Sequence, residues 1–193
     1  MKKRNIAVFA SGSGTNAQRI TEYFSDHPEI SVSMILSNKP DAYVLVRAKK
    51  LMIPSVVFDR HTFYETTEIS GLLKKNKIDL IVLAGFLWLI PEDLIQAFRG
   101  RIINIHPALL PKYGGKGMYG SRVHEAVIQS RDKESGITIH FVNEKYDEGN
   151  IIFQAKCEVL PDDTPDTLAQ RIHQLEYKHY PEVIEKVIKG LKD

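Results

Sequence analysis

The segment Ile6-Ala7-Val8-Phe9-Ala10-Ser11-Gly12-Ser13-Gly14-Thr15-Asn16-Ala17 decides the fold class. Five apolar residues of strand length run into a glycine turn, and a helical period opens directly after it. A strand that is apolar at every position is buried on both faces, as in a parallel sheet. The alternation continues outward. Residues 32–36, 56–58, 80–84 and 102–105 are further short, branched, apolar runs. Between the runs lie helix candidates at 15–24, 41–51, a stretch ending near Asn76, and 91–98. Pro91 suits a first helical turn and Gly100 a stop just past the last one. This order predicts an α/β fold, a doubly wound and mostly parallel sheet with right-handed crossovers.

The second half reads differently. Residues 112–120 hold four glycines, a long loop able to act as a lid. Residues 121–130 have a helical period. Residues 136–142 and 151–159 read as two strands, antiparallel, joined by the turn Asp147-Glu148-Gly149-Asn150. Residues 164–190 close the chain as a long helix. Its apolar stripe is Leu168, Ile172, Leu175, Val183 and Val187, with Pro181 as a break or kink. No linker divides the chain, so residues 1–193 are expected to form one domain.

Composition narrows the classes. The 193 residues are 43% hydrophobic and 26% charged, which excludes wholesale disorder and collagen-like chains. A chain of this size buries roughly 70% of its unfolded surface, enough to enclose an active site. A net charge of +2 is too small to suggest a nucleic-acid or membrane partner by field alone. Cys157 is the only cysteine, so no intrachain disulfide forms, and it is expected buried as a small hydrophobe. The opening Met1-Lys2-Lys3-Arg4-Asn5 is basic like a signal peptide, but residues 6–10 are too short for its apolar region. The longest apolar run, 80–90, falls short of the roughly 20 residues of a spanning helix. The expectation is a cytoplasmic protein.

Four stretches carry chemistry. Gly12-x-Gly14-x-x-Ala17 fits a relaxed dinucleotide fingerprint, which also asks for an acid about 20 residues on. The second strand instead ends in Ser37-Asn38-Lys39. Free N–H groups at a helix N-terminus favour an anion, so a lone phosphate is the better reading, against a tight turn without ligand. In Asn104-Ile105-His106-Pro107, residues two apart point the same way. Asn104 is a donor for a developing oxyanion and His106 a proton shuttle, a pairing suited to acyl transfer. A satisfied core histidine beside a capping Asn fits the pattern equally well. Asp147 reads as ordinary turn chemistry unless it folds back over His106. It would then raise the imidazole pKa, and His140 could complete the cluster. Gly85-Phe86-Leu87-Trp88-Leu89-Ile90 follows a buried strand and suits either core packing or an apolar pocket for a flat ring. His173 and Glu176 share one helix face. With no further ligands converging, a face toward substrate is favoured over a metal site.

Together these motifs resemble the folate-dependent formyltransferases. The matching text is Ser11-Gly12-Ser13-Gly14-Thr15-Asn16, Val82-Leu83-Ala84-Gly85-Phe86, Asn104-Ile105-His106-Pro107-Ala108-Leu109-Leu110-Pro111, Gly136-Ile137-Thr138-Ile139-His140-Phe141-Val142 and Tyr146-Asp147-Glu148-Gly149. The first is specific to the branch that acts on glycinamide ribonucleotide. The resemblance implies formyl transfer from 10-formyltetrahydrofolate to the ribonucleotide's amine in purine synthesis, without metal or covalent intermediate. It implies Asn104, His106 and Asp147 as catalytic residues. It implies Gly14, Thr15, Asn16 and Glu176 at the ribonucleotide. The folate would meet Leu87, Trp88, Leu89, Ile90, Asn104, Asn143, Glu144, Lys145, Tyr146 and Asp147. Partners are then small molecules, and the protein a monomer or homodimer.

Two places depart from that pattern. Trp88 stands where many relatives carry Arg or another long side chain, so pterin contacts would run through its backbone. The stretch 59–68 is shortened, and neither Arg60 nor His61 is assigned to the folate tail. Competing readings are another formyltetrahydrofolate-using enzyme, such as a hydrolase, or a non-catalytic nucleotide-binding module. The missing acid after the second strand speaks against the module.

Overall fold

The computed structural model describes residues 3–191, so Met1 and Lys2 of the basic opening lie outside the described residues. Seven strands form one sheet: β1 (Arg4–Phe9), β2 (Ile30–Ser37), β3 (Ser55–Val57), β4 (Leu80–Leu83), β5 (Ile102–His106), β6 (Glu134–Phe141) and β7 (Ile151–Glu158). The helices are α1 (Thr15–Tyr23), α2 (Tyr43–Lys50), α3 (Arg60–Tyr64), α4 (Glu68–Lys75), α5 (Glu92–Ala97), α6 (Ser121–Gln129) and α7 (Pro165–Lys189). The order across the sheet is β3-β2-β1-β4-β5-β6-β7. The chain winds from β1 out to β3, returns beside β1 with β4, and continues outward on the other side. β1 to β5 pair in parallel, while β6 and β7 are antiparallel additions. This is the expected doubly wound sheet. Its direction reverses between β1 and β4, and ligands of such sheets sit outside the strand ends at that crevice.

Strand alternation builds two cores. Ile6, Val8, Ala10, Leu80, Val82, Ala84, Ile103 and Ile105 face one side, with Ile20 of α1, Val44 of α2 and Ile172 of α7. Ala7, Phe9, Ile81, Leu83 and Ile102 face the other, with Phe63, Leu73 and Leu94 of α3, α4 and α5. Asn104 and His106 share the face of Ile102, because side chains repeat every second residue. There the core gives way to a cavity.

Several expectations need correction. β3 is an edge strand pairing only with β2, so Val57 is 46% exposed rather than buried on both faces. Cys157 lies on the opposite edge strand and is half-buried. The helical stretch ending near Asn76 is two helices. Asp59 separates the first from β3 by capping it, its carboxylate accepting from Thr62 N–H at 2.8 Å. α7 passes through Pro181 unbroken. A proline inside a helix costs about 3 kcal/mol, but Pro181 is buried, and the preceding Tyr180 anchors the helix by donating to the Leu83 carbonyl at 2.8 Å. The buried stripe of α7 runs Leu168, Ile172, Glu176, Tyr180, Ile184, Ile188, so Leu175 and Val187 only flank it.

Candidate active site

The glycine loop is shaped by close packing. Gly14 precedes α1 at φ 74, and a Cβ there would collide with the Val44 side chain. Val44 N–H in turn donates to Gly12 O at 3.1 Å. No side chain caps α1, and the loop from Ser11 to Asn16 lines the cavity, so the first N–H groups of the helix are open to an anion. Gly14→Ala is expected to lower stability by about 2 kcal/mol through left-handed strain alone, with more from the collision. Chemical denaturation reads it, and an unchanged midpoint would contradict this packing.

Asn16 reaches across to the last helix. Its Nδ2 donates to Glu176 Oε2 at 2.8 Å. Glu176 is buried in the apolar stripe, and that burial pushes its pKa up to about 7 against the opposing effect of the Asn16 hydrogen bond. Ser11 ties the loop to the apolar corner: its hydroxyl donates to Asn38 Oδ1 at 2.7 Å and accepts from Leu87 N–H at 3.1 Å.

A second group gathers at the end of β5. Asn104 pairs with His140 and His106 with Thr138 across the β5–β6 ladder, so all four side chains share a face. His140 Nδ1 lies 2.8 Å from the Phe141 carbonyl. A carbonyl only accepts, so Nδ1 carries the proton and Nε2 accepts from Asn104 Nδ2 at 3.1 Å. Asp147 sits on the turn after β6 at φ 57. Gly149 lets that turn fold back, since a Cβ there would strike the Phe141 carbonyl. Asp147 Oδ1 accepts from Asn104 Nδ2 at 3.4 Å, and Oδ2 accepts from Gly115 N–H at 3.0 Å. Oδ2 also lies 3.5 Å from His106 Nδ1, an ion-pair distance longer than a good hydrogen bond. His106 Nε2 donates to the Tyr113 carbonyl at 2.7 Å.

The titration of His106 differs from expectation. Burial pushes its pKa down and outweighs the upward pull of Asp147 and the Tyr113 carbonyl, so the net direction is downward. Asp147 is itself opposed by burial. The His140 ring 3.6 Å away, the His106 charge and the Gly115 N–H together still hold it below the usual carboxylate range.

The loop and the cluster line one cavity of about 660 Å³, together with Leu87, Trp88, Leu89, Ile90, Lys145 and Tyr146. Asn143 and Glu144 are not in its wall. Asn143 Oδ1 accepts from Lys145 N–H within the turn, and Glu144 is exposed. The Trp88 ring packs with Phe58, Phe63, Tyr64 and Phe86, and Arg60 lies over it at 5.7 Å. His61 pairs with Glu65 at the surface. Lys39, Lys116 and His124 also line the cavity without having been singled out. The one signal for Lys39 was its place directly after β2. Among the described residues no group of three or more His, Cys, Asp or Glu side chains is placed to hold a metal ion, and no helix is long and apolar enough to cross a membrane.

A doubly wound sheet with an anion-ready loop and an amide–imidazole–carboxylate cluster at its switch point defines a class of group-transfer protein. The chain belongs to the formyl transferase family, whose profile matches residues 4–184. It is 43% identical to the phosphoribosylglycinamide formyltransferase of Haemophilus influenzae, over 100% of this chain and 92% of that protein. It is also 43% identical to the chloroplastic phosphoribosylglycinamide formyltransferase of Arabidopsis thaliana, over 95% of this chain but only 65% of that one. The crystal structure of the phosphoribosylglycinamide formyltransferase from Streptococcus pneumoniae superposes with a TM-score of 0.84 at 39% identity, covering 97% of this chain and 99% of that one.

Proposed function

We propose that this protein transfers the formyl group of 10-formyltetrahydrofolate to the amine of 5'-phosphoribosylglycinamide. The products are formylglycinamide ribonucleotide and tetrahydrofolate, in purine synthesis. The observation that carries this reading is a single cavity lined by an anion-ready helix terminus, an acyl-transfer cluster and an apolar corner. The phosphate would meet the N–H groups at Gly14, Thr15 and Asn16, and Glu176 would meet the ribose. The pterin would lie against the corner from Leu87 to Ile90, where apolar side chains and the Trp88 and Ile90 backbone suit a flat heteroaromatic ring. Lys145 and Tyr146 would flank it.

The amine nitrogen attacks the formyl carbon, and the formyl oxygen takes up negative charge. Asn104 Nδ2 and His106 Nε2 are the donors for that charge. Both are committed in the free protein: Asn104 gives its longer bond to Asp147, and His106 gives Nε2–H to Tyr113. Exchanging these bonds for the formyl oxygen strengthens them as charge develops, which is differential binding of the transition state. The amine nitrogen then loses a proton and the carbon–N10 bond breaks, with N10 taking up a proton. The Asp147–His106 pair is the proposed carrier between the two nitrogens.

The test is an absorbance assay with both substrates, omitting each in turn. Turnover that requires both supports the transferase. Deformylation of the folate without ribonucleotide would make it a hydrolase, and no turnover from folded protein would leave a nucleotide-binding module. Asn16→Ala removes the side chain that holds Glu176, proposed to meet the ribose beside the loop, and is expected to raise the ribonucleotide KM about tenfold. The folate KM should stay within about twofold. Equal losses for both substrates would remove the phosphate-loop assignment.

A further inference from the structure

His124 has no part in the chemistry above. It lies on α6 between the apolar core residues Val123 and Val127, is 3% exposed, and its Nδ1 is sealed from solvent without a hydrogen-bond partner. An unpartnered buried nitrogen costs stability, so packing alone gives no reason for an imidazole there. The ring nonetheless lines the cavity. With Nδ1 sealed, Nε2 is the nitrogen left to that cavity.

The tautomer follows from the same facts. A buried N–H without an acceptor is rarer than an acceptor without a donor. Nδ1 is therefore the bare nitrogen, and Nε2 carries the hydrogen. The ring stays neutral: burial, then the charges of His173 and His106, push its pKa down to about 4. His106 at the end of β5 and His173 on α7 act on it electrostatically, and Glu176 on α7 and Lys116 in the loop before α6 line the same cavity. On its own helix Arg122 and Glu125 are exposed.

Its position is informative. His124 is within electrostatic reach of both His106 and His173. His173 stands three residues, about one helical turn, before Glu176. The ring of His173 stacks on Tyr177 at 6.0 Å, and Arg19 lies over Tyr177, which orients the His173 ring in the cavity wall. His124 thus lies along the wall that joins the transfer cluster to the Glu176 end.

We propose that His124 Nε2–H donates a hydrogen bond to an oxygen in the glycinamide–ribose portion of the acceptor substrate, with His173 flanking the same stretch, so that His124 is a specificity-determining residue. The proposal rests on the acceptor named under Proposed function. Between the phosphate and the reacting amine, that stretch carries an amide and hydroxyls, which are uncharged. A neutral donor suits it, where an ammonium or carboxylate would be desolvated without a counter-charge.

The experiment is steady-state kinetics and thermal melting of the full chain with His124→Phe and His124→Gln, with inorganic phosphate as a competing probe of the anion end. His124→Phe is expected to raise the ribonucleotide KM about tenfold, the worth of one hydrogen bond. Its folate KM and phosphate inhibition should stay within about threefold, and Tm should be unchanged or higher. His124→Gln, which presents an amide N–H near the position of Nε2, is expected to recover most of the affinity. An unchanged ribonucleotide KM in His124→Phe overturns the proposal. So does a fall in Tm without rescue by Gln, which marks a structural role, or an equal loss of phosphate inhibition, which places the residue at the anion end. Failure of the acceptor assignment itself is read separately, as absence of ribonucleotide-dependent turnover in the unsubstituted protein.

Discussion

Asp147→Asn is expected to lower kcat by roughly 10² to 10⁴ while leaving the fold and the ribonucleotide affinity near their original values. The substitution is gentle on the backbone. Asp147 sits at φ 57, a left-handed conformation that Asn tolerates as well as Asp. One side-chain oxygen remains to accept from Gly115 N–H. What is lost is the negative charge beside His106. That charge opposes the burial that already pushes the imidazole pKa down. Without it the imidazole falls further and holds a transferred proton less well. The acid limb of the rate profile should therefore move to lower pH as kcat drops. Near-normal turnover, or a fall explained by loss of folded protein in circular dichroism, would remove Asp147 from the proposed relay.

Glu176→Gln is expected to change how stability depends on pH. The carboxyl titrates at about 7 in the folded protein against 4.5 for the free group. The folded state therefore holds its proton more tightly than the unfolded chain. Its contribution is fully present below pH 4.5 and is lost as pH rises through about 7. The gap corresponds to about 3 kcal/mol. Glutamine has no proton to lose, so the variant should keep that stability at pH 8, provided its amide turns its oxygen toward Asn16. Denaturant midpoints at pH 4.5 and pH 8 for both proteins measure the difference. Parallel pH profiles would mean that Glu176 is not buried as a titrating group. The placement also matters for the proposed substrate, because a neutral Glu176 does not repel a phosphate at the neighbouring loop.

Much of the architecture was legible because the signals are local. The runs at β1, β2, β4 and β5 are apolar at nearly every position, and only a sheet covered on both faces hides such strands. Period two was enough to place Asn104 and His106 on one face. The glycine loop could be read as an anion site because a strand, a turn and a helix start follow one another within a dozen residues. Pro181 does not break α7: its cost is local, whereas the packing that offsets it lies on β4 and β5.

By itself, the sequence determined the doubly wound sheet and which candidate side chains face the same way. The tertiary structure alone decided which distant groups meet. His140 joins Asn104 through the antiparallel register of β5 and β6. Asn16 meets Glu176 across 160 residues of chain. The sign of the His106 shift was likewise a tertiary outcome, since Asp147 raises the pKa as expected and burial overrides it. The physical reason is the range of each effect. Side-chain period and turn chemistry are properties of a few adjacent residues. Strand register, burial depth and the field at a titrating atom are sums over neighbours brought together only by the fold.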